Sequence, residues 1–167
     1  MKPPRIAVNV SALQLRRPNF VSDVRDALVD AGPDGGGVDL EITESLLMTD
    51  VEETIGKLRA LREMGLHIAL DDFGTGYSSL SYLSRLPLDA LKIDRAFVRG
   101  MTQNAADMSI ITSIVSLARA LRLKVIAEGV ETEVQAERLL ALGCDQGQGF
   151  LFSRPVSVEE VEKLLRA

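Results

Sequence analysis

HIALDDFGTGYSS, residues 67–79, holds the pattern on which the fold turns. Ile68-Ala69-Leu70 is a short, continuous apolar run, as expected of a strand buried on both faces of a parallel sheet. Asp71 and Asp72 stand at its C-terminal end. Adjacent strand residues point to opposite faces, so both carboxylates serve one site only if the chain turns there, and Gly74 and Gly76 permit that turn. A short helix is expected from Ser79 to Leu86, closed by Pro87.

Outward from this stretch the same unit recurs. Further strand-like runs lie at Ile6–Val10, Val38–Ile42, Ala90–Ile93 and Val125–Ala127, with a weaker sixth around Cys144–Phe150. Between them lie amphipathic segments. Phe20, Val21, Val24, Leu28 and Val29 form one stripe, stopped by Gly32-Pro33. Val51, Ile55, Leu58 and Leu61 form another before Gly65, with Asp50 as cap and Glu53 in the third helical position. Asn104 opens a longer helix carrying Met108, Ile111, Val115, Ala118 and Leu121. Thr132 with Gln135, and Ser157 with Glu160, fit the capping box. The order is βα repeated six times, which predicts an α/β fold with a parallel sheet and right-handed crossovers. Gly32–Gly37 reads as a surface connection.

The strand ends carry the chemistry. Asn9, Glu41, Asp71 with Asp72, Lys92, Glu128 and Gln148 fall at or near the ends of the six strands, and parallel α/β folds bind ligands outside those ends. Glu41, Asp71, Asp72 and Glu128 are four crowded carboxylates that cannot all stay ionised without cations. Oxygen ligands with no histidine or thiol favour Mg²⁺ or Mn²⁺ over zinc. Two such ions ~3.5–4 Å apart form a device for hydrolysing phosphate esters. Lys92 would neutralise developing charge or orient the attacking water.

Other readings fit less well. Gly74-Thr75-Gly76 imitates part of a dinucleotide-binding turn, but the third glycine is missing and two carboxylates would repel a pyrophosphate. His67 starts its strand, away from the acidic ends, and reads as structural. Cys144 reads as a small buried residue. Asp39, Asp89, Asp94 and Asp145 read as turn or surface positions. The chain of 167 residues is 46% hydrophobic, too apolar for disorder. The uncharged run Met108–Ala118 is eleven residues, short of the ~20 that cross a bilayer. A net charge of −5 opposes duplex nucleic acid and anionic lipid as partners. One cysteine excludes a disulfide framework.

VNVSA at 8–12, LEITES at 40–45, DDFGTGYSSLSYL at 71–83, LKIDRAFV at 91–98, VIAEGVET at 125–132 and QGFLFSRP at 148–155 together resemble the EAL-domain cyclic di-GMP phosphodiesterases. The resemblance implies a TIM-type (β/α)8 barrel with one reversed strand, of which residues 1–167 supply six βα units, an incomplete barrel open to completion by another chain. It implies hydrolysis of one phosphodiester bond of cyclic di-GMP to linear pGpG with two Mg²⁺ or Mn²⁺ ions. Asn9, Glu41 and Asp71 match ligands of a first metal, and Asp71, Asp72 and Glu128 of a second. Lys92 matches the lysine near the attacking water, Glu128 the glutamate assigned to the second metal or to general-base work on that water, and Asp72 is counted with them as catalytic. Glu44 matches the brace of the Asp71 loop, and Glu131 and Gln148 match supporting polar positions, Gln148 also facing substrate. The Asp71–Ser79 loop and the following helix resemble a homodimer-forming region. The family's Glu-Ala-Leu glutamate, a metal ligand, and a nearby arginine have no counterpart here, which implies weaker metal binding by this chain alone. A non-catalytic cyclic di-GMP receptor and a dimerising regulatory module are the alternatives. The implied location is cytoplasmic, with the parent protein free to be membrane-tethered.

Overall fold

The computed structural model describes residues 5–32, 37–44, 51–74 and 80–166. The Asp50 cap, Gly76, Ser79 and the centre of the Gly32–Gly37 connection lie outside the described residues. Six strands, β1 (Ile6–Val10), β2 (Val38–Thr43), β3 (His67–Phe73), β4 (Ala90–Ile93), β5 (Lys124–Ala127) and β6 (Gln146–Gly147), pair in parallel in the order of the chain. A doubly wound sheet reverses its strand order once; this one never does. Right-handed crossovers then put the connecting helices on one face, and the sheet curls into half of a barrel wall.

The helices end where their capping chemistry says. Helix α2 (Phe20–Ala31) stops at Gly32, and α3 (Val51–Glu63) stops before Gly65. Helix α6 (Ala105–Ala120) opens on Asn104, whose side chain accepts from the amide of Ala106 at 2.9 Å. Helix α7 (Glu133–Leu142) has the full Thr132–Gln135 capping box. At α8 (Val158–Arg166) the Glu160 carboxylate reaches back to the amide of Ser157 at 3.4 Å. Two short helices were not expected: α1 (Ala12–Leu15), with its own capping box from Ser11 and Gln14, and α5 (Arg95–Gly100), capped by Asp94. Among the described residues helix α4 runs Leu80–Leu83, ending before the expected Leu86. Val29 is exposed rather than part of the α2 stripe, because at 100° per residue it lies far round the helix from Phe20 and Val24.

Core packing follows the strand pleat. Leu40, Ile42, Ile68, Leu70, Leu91, Ile93, Val125 and Ala127 are buried. They pack in one cluster with Ile55, Leu58, Leu61, Ile111, Val115 and Ala118 of the helices. The residues between them face the concave side. The strands are therefore not apolar on both faces as expected. Ala7, Glu41, Ala69, Ala90, Ile126 and Gln148 line an open cavity of about 710 Å³. Small and polar side chains leave this interior unfilled, while β4, in the middle of the sheet, is buried throughout. Strand β1 is the opposite case, an edge with Ile6 and Val8 exposed.

Candidate active site

Four of the sequence-picked residues meet at one atom. Lys92 projects from β4 into the C-terminal end of the half-barrel, and its ammonium is 2.6 Å from Glu41 Oε2, 2.6 Å from Glu128 Oε1 and 3.3 Å from Asp71 Oδ1. Its side chain is only 3% exposed, so three ion pairs offset the cost of burying the charge. The sheet register makes this possible. Glu41 lies in β2 level with Ala69 of β3, two residues before Asp71, and Lys92 lies level with Ile126, two residues before Glu128. An ammonium has three N–H donors; Glu41 and Glu128 take one each, and Asp71 lies at ion-pair distance.

Asp71 and Asp72 share the site through a local distortion. Pairing of β3 with β4 shifts register between Leu70 and Phe73, and Asp72 itself adopts φ 54°. Aspartate is among the few side chains that tolerate this left-handed conformation. The turn thus falls on Asp72, not only on the glycines, although Gly74 follows at φ 97°. The Asp72 amide donates to Asp71 Oδ1 at 3.0 Å, locking the pair. Asp71, Asp72 and Glu128 each offer an oxygen within 4.8 Å of one another. Hard oxygen donors clustered in this way fit a divalent cation such as Mg²⁺ or Mn²⁺.

Surrounding residues hold the cluster. Glu44 is buried, and its Oε2 accepts from the Gly74 amide at 3.3 Å, while Oε1 has no partner among the described residues. Gln148 lies beside the loop after β5: its amide donates to the Ala127 carbonyl at 2.8 Å and its carbonyl accepts from the Val130 amide at 3.0 Å. Glu131 is exposed, and its backbone amide donates to Gln135 Oε1 at 2.8 Å. Asn9 pairs in register with Glu41 on the exposed edge strand. His67 is at the far end of its strand, 3.4 Å from Asp39, and Cys144 is buried.

Two residues escaped the sequence reading. Asp94, taken for a turn position, caps α5 through the Ala96 amide at 2.7 Å and lies close enough to Asp72 to help raise its carboxyl. Its position one residue beyond β4, beside Lys92, was the available signal. Gln135 is buried: its Oε1 accepts from the amides of Glu131 and Thr132 at 2.8 and 3.0 Å, and its Nε2 donates to the Val98 carbonyl at 3.2 Å. The capping box showed the first half of that role, and only packing shows that Gln135 ties the loop bearing Glu128 to α5.

The EAL domain profile matches residues 1–155. The chain belongs to the EAL domain family. This EAL domain is 48% identical over 163 residues to the cyclic di-GMP phosphodiesterase NbdA of Pseudomonas aeruginosa, covering 98% of this chain and 21% of NbdA. It superposes on the PaMucR phosphodiesterase in complex with c-di-GMP with a TM-score of 0.89 at 48% identity, covering 94% of this chain and 64% of that one. It also matches a manganese and c-di-GMP complex of Klebsiella pneumoniae BlrP1, with a TM-score of 0.80 at 37% identity, over 90% of this chain and 39% of that one. The domain thus spans about a fifth of the curated relative's length, 21% of NbdA.

Electrostatics in this EAL domain divide the site into unlike groups. Burial alone would push Lys92 down, but hydrogen bonds and charge from Glu128 and Glu41 outweigh it and hold the ammonium well above its ordinary range. Burial raises the Glu128 carboxyl; Lys92 works against this, while Asp71 and Glu41 add to it. Asp72 is also raised, by burial first, then by the charge of Asp71 and by Asp94, which favours the protonated form of Asp72 as a donor. Burial raises the Cys144 thiol to about 11, which makes it a poor nucleophile at neutral pH. No helix among the described residues is long and apolar enough to cross a membrane.

Proposed function

We propose that the protein is a metal-dependent phosphodiesterase that hydrolyses one phosphodiester bond of cyclic di-GMP to linear pGpG. The observation that carries this reading is the convergence of Glu41, Asp71 and Glu128 on the buried Lys92 ammonium, with Asp72 beside them. The c-di-GMP complexes of PaMucR and BlrP1, built on the same fold, supply the substrate class. Asn9, Glu41 and Asp71 would hold one Mg²⁺ or Mn²⁺ ion, and Asp71, Asp72 and Glu128 a second. When bound, such ions offset the repulsion among carboxylates, neutralise phosphate charge and make the attacking water more acidic.

The side chains then take distinct roles. Lys92 is held in its charged form, so it cannot accept a proton; Nζ instead donates toward the attacking water or the developing phosphorane charge. Glu128 has a raised carboxyl, so its carboxylate accepts the proton that the water loses as it attacks phosphorus in line with the leaving 3′ oxygen, which takes a proton from solvent as the P–O bond breaks. Glu44 braces the chain after β3 through the Gly74 amide, and Gln148 positions the loop after β5 and faces substrate.

A homodimer through the Asp71–Ser79 loop and the following helix belongs to the same proposal, as does a cytoplasmic location; residues 75–79 of that loop lie outside the described residues. Sedimentation that finds only monomers at high concentration removes the dimer. For the reaction, the full-length protein is incubated with cyclic di-GMP and Mg²⁺ or Mn²⁺ and the products are separated. Linear pGpG is the expected product. Calorimetric binding of cyclic di-GMP with no product would convert the reading to a receptor.

A further inference from the structure

The loop that begins at Glu128 is held on several sides. The Glu128 amide donates to the Ile93 carbonyl at 3.1 Å. Val130 donates to the Gln148 carbonyl and accepts from the Leu151 amide, both at 3.0 Å. Gly129 sits so close to the first turn of α5 that a Cβ would fall 2.6 Å from Arg95 Cβ. The remaining hold is the buried side chain of Gln135. Its Oε1 accepts from the Glu131 and Thr132 amides, and its Nε2 donates to the Val98 carbonyl. That carbonyl lies in the last turn of α5, where a helix leaves acceptors without intrahelical donors. Three residues on, and so on the same face of α7, Arg138 donates to the Met101 carbonyl at 3.4 Å. Helix α7 thus grips the C-terminal end of α5 at two points. At the opposite end of α5, Asp94 stands beside Asp72. One short helix therefore touches both the Asp72 side and the Glu128 side of the acidic group.

We propose that Gln135 is a positioning residue: by tying residues 128–132 to α5, it fixes Glu128 at the distance from Asp71 and Asp72 that a shared cation requires. The inference rests on the metal-dependent function proposed above and adds a residue on which that site depends. A cap alone does not require glutamine. Glutamate closes a capping box as well, as Glu160 does at α8, and its charge suits a helix N-terminus. The bond to Val98 does require an amide, because a carboxylate has no proton to give a carbonyl. Glu128 needs such a hold, since its oxygen stays within 4.8 Å of those of Asp71 and Asp72 despite their like charge. Lys92 holds the Glu128 carboxylate itself. Gln135 holds the backbone from which it projects.

Two substitutions in the full-length protein separate the cap from the tie. Gln135→Glu keeps an acceptor for the Glu131 and Thr132 amides and loses the donor to Val98. Thr132→Ala removes the other half of the capping box and leaves that donor in place. At saturating Mn²⁺, Gln135→Glu is expected to lower kcat by about tenfold or more with KM within about twofold of wild type. Calorimetry with Mn²⁺ alone should show binding weakened by about tenfold, the scale set by groups that orient metal ligands. Thr132→Ala should lower the melting temperature, while kcat and Mn²⁺ affinity stay within about twofold of wild type. Equal losses of kcat and affinity in the two variants reduce Gln135 to a cap and overturn the proposal, as does a Gln135→Glu protein that matches wild type. Should Gln135→Glu fail to fold, Arg138→Met, at an exposed position, loosens the same grip at its second point. Its kcat is expected to fall about threefold, and unchanged kcat and Mn²⁺ affinity overturn the proposal. Mn²⁺ affinity that depends on Gln135 without cyclic di-GMP cleavage would keep this inference and sink the phosphodiesterase reading. Cleavage with kcat and affinity independent of Gln135 would do the reverse.

Discussion

The two ends of the parallel sheet carry the same residue types and treat them in opposite ways. At the N-terminal ends each aspartate has partners of its own. Asp89 accepts from the Ile68 amide at 2.9 Å and from Arg62 at 2.7 Å, Asp145 accepts from the Val125 amide at 2.8 Å, and Asp39 accepts from Arg5 at 2.7 Å. In the first two cases an aspartate just before one strand satisfies the amide of the second residue of its neighbour. At the C-terminal ends Glu41, Asp71 and Glu128 share one ammonium, and Asp72 lies against Asp71 and Asp94. One end is satisfied and holds the strands in register. The other leaves negative charge in excess of its protein partners, the condition for recruiting metal ions. The contrast between satisfied and unbalanced carboxylates, more than acidity as such, separates structural from functional residues here.

If that division is right, the largest effect of any single substitution on chemistry falls at the unbalanced end. Asp71→Asn should lower cyclic di-GMP turnover by roughly a thousandfold or more, about 4 kcal/mol of barrier, while the fold persists by circular dichroism. Turnover within a few-fold of wild type would break the assignment of that end as catalytic.

Gly129 links the two halves of the comparison, because it follows Glu128 and is packed against α5. It adopts φ 66°, and a Cβ there would fall 2.6 Å from Arg95 Cβ. Gly129→Ala is expected to cost about 2–4 kcal/mol, from the left-handed backbone and the overpacked contact together. It should also shift Glu128 and lower activity beyond the stability loss. Thermal unfolding and turnover measured on the same sample check both.

At the satisfied end, Asp89→Ala leaves the fully buried Ile68 amide without its acceptor, at a cost of about 1–3 kcal/mol; the partly exposed Arg62 pair adds little. Mn²⁺ affinity should not change. Asp72→Asn is the counterpart. It removes a crowded charge and keeps a side chain tolerant of the left-handed backbone, so the metal-free protein should melt within about 1 kcal/mol of wild type or higher, while Mn²⁺ binding weakens. Equal destabilisation by both substitutions in calorimetry would erase the distinction between the two ends.

The smallest expected effect is on pH dependence. Asp72 and Glu128 are raised above the ordinary carboxylate value of ~4. The folded state then binds more protons than the unfolded one, so the stability from these groups is present below the unfolded value and lost as pH rises through the folded value. A divalent ion binds the ionised forms and restores it. The rise in melting temperature caused by Mn²⁺ should grow as pH increases from weakly acidic to neutral. A shift that is flat or falls with pH contradicts the raised carboxyls.

Most of the architecture was readable along the chain, because strand and helix periods, caps and the Gly32 and Gly65 stops are local. Asn9, Glu41, Asp71, Asp72, Lys92 and Glu128 could be picked for the same reason: a polar residue ending an apolar run is visible without coordinates. Asp94 and Gln135 were misread or missed because their second partners, Asp72 and the Val98 carbonyl, are far away in sequence. Val29 was placed on the wrong face by adding one residue too many to a stripe.

By itself the sequence determined the repeating βα order, the parallel sheet it implies, the residues at the strand ends and the family to which those motifs belong. Periodicity and capping act over a few residues, so the chain carries them openly. The tertiary structure alone decided that β3 breaks register between Leu70 and Phe73, that the concave face is lined by small and polar side chains that leave it unfilled, and that one lysine ammonium joins Glu41 to Asp71 and Glu128. Those outcomes depend on which strands lie side by side and in what register, and on charges from β2, β3, β4 and the end of β5 meeting at a few ångströms.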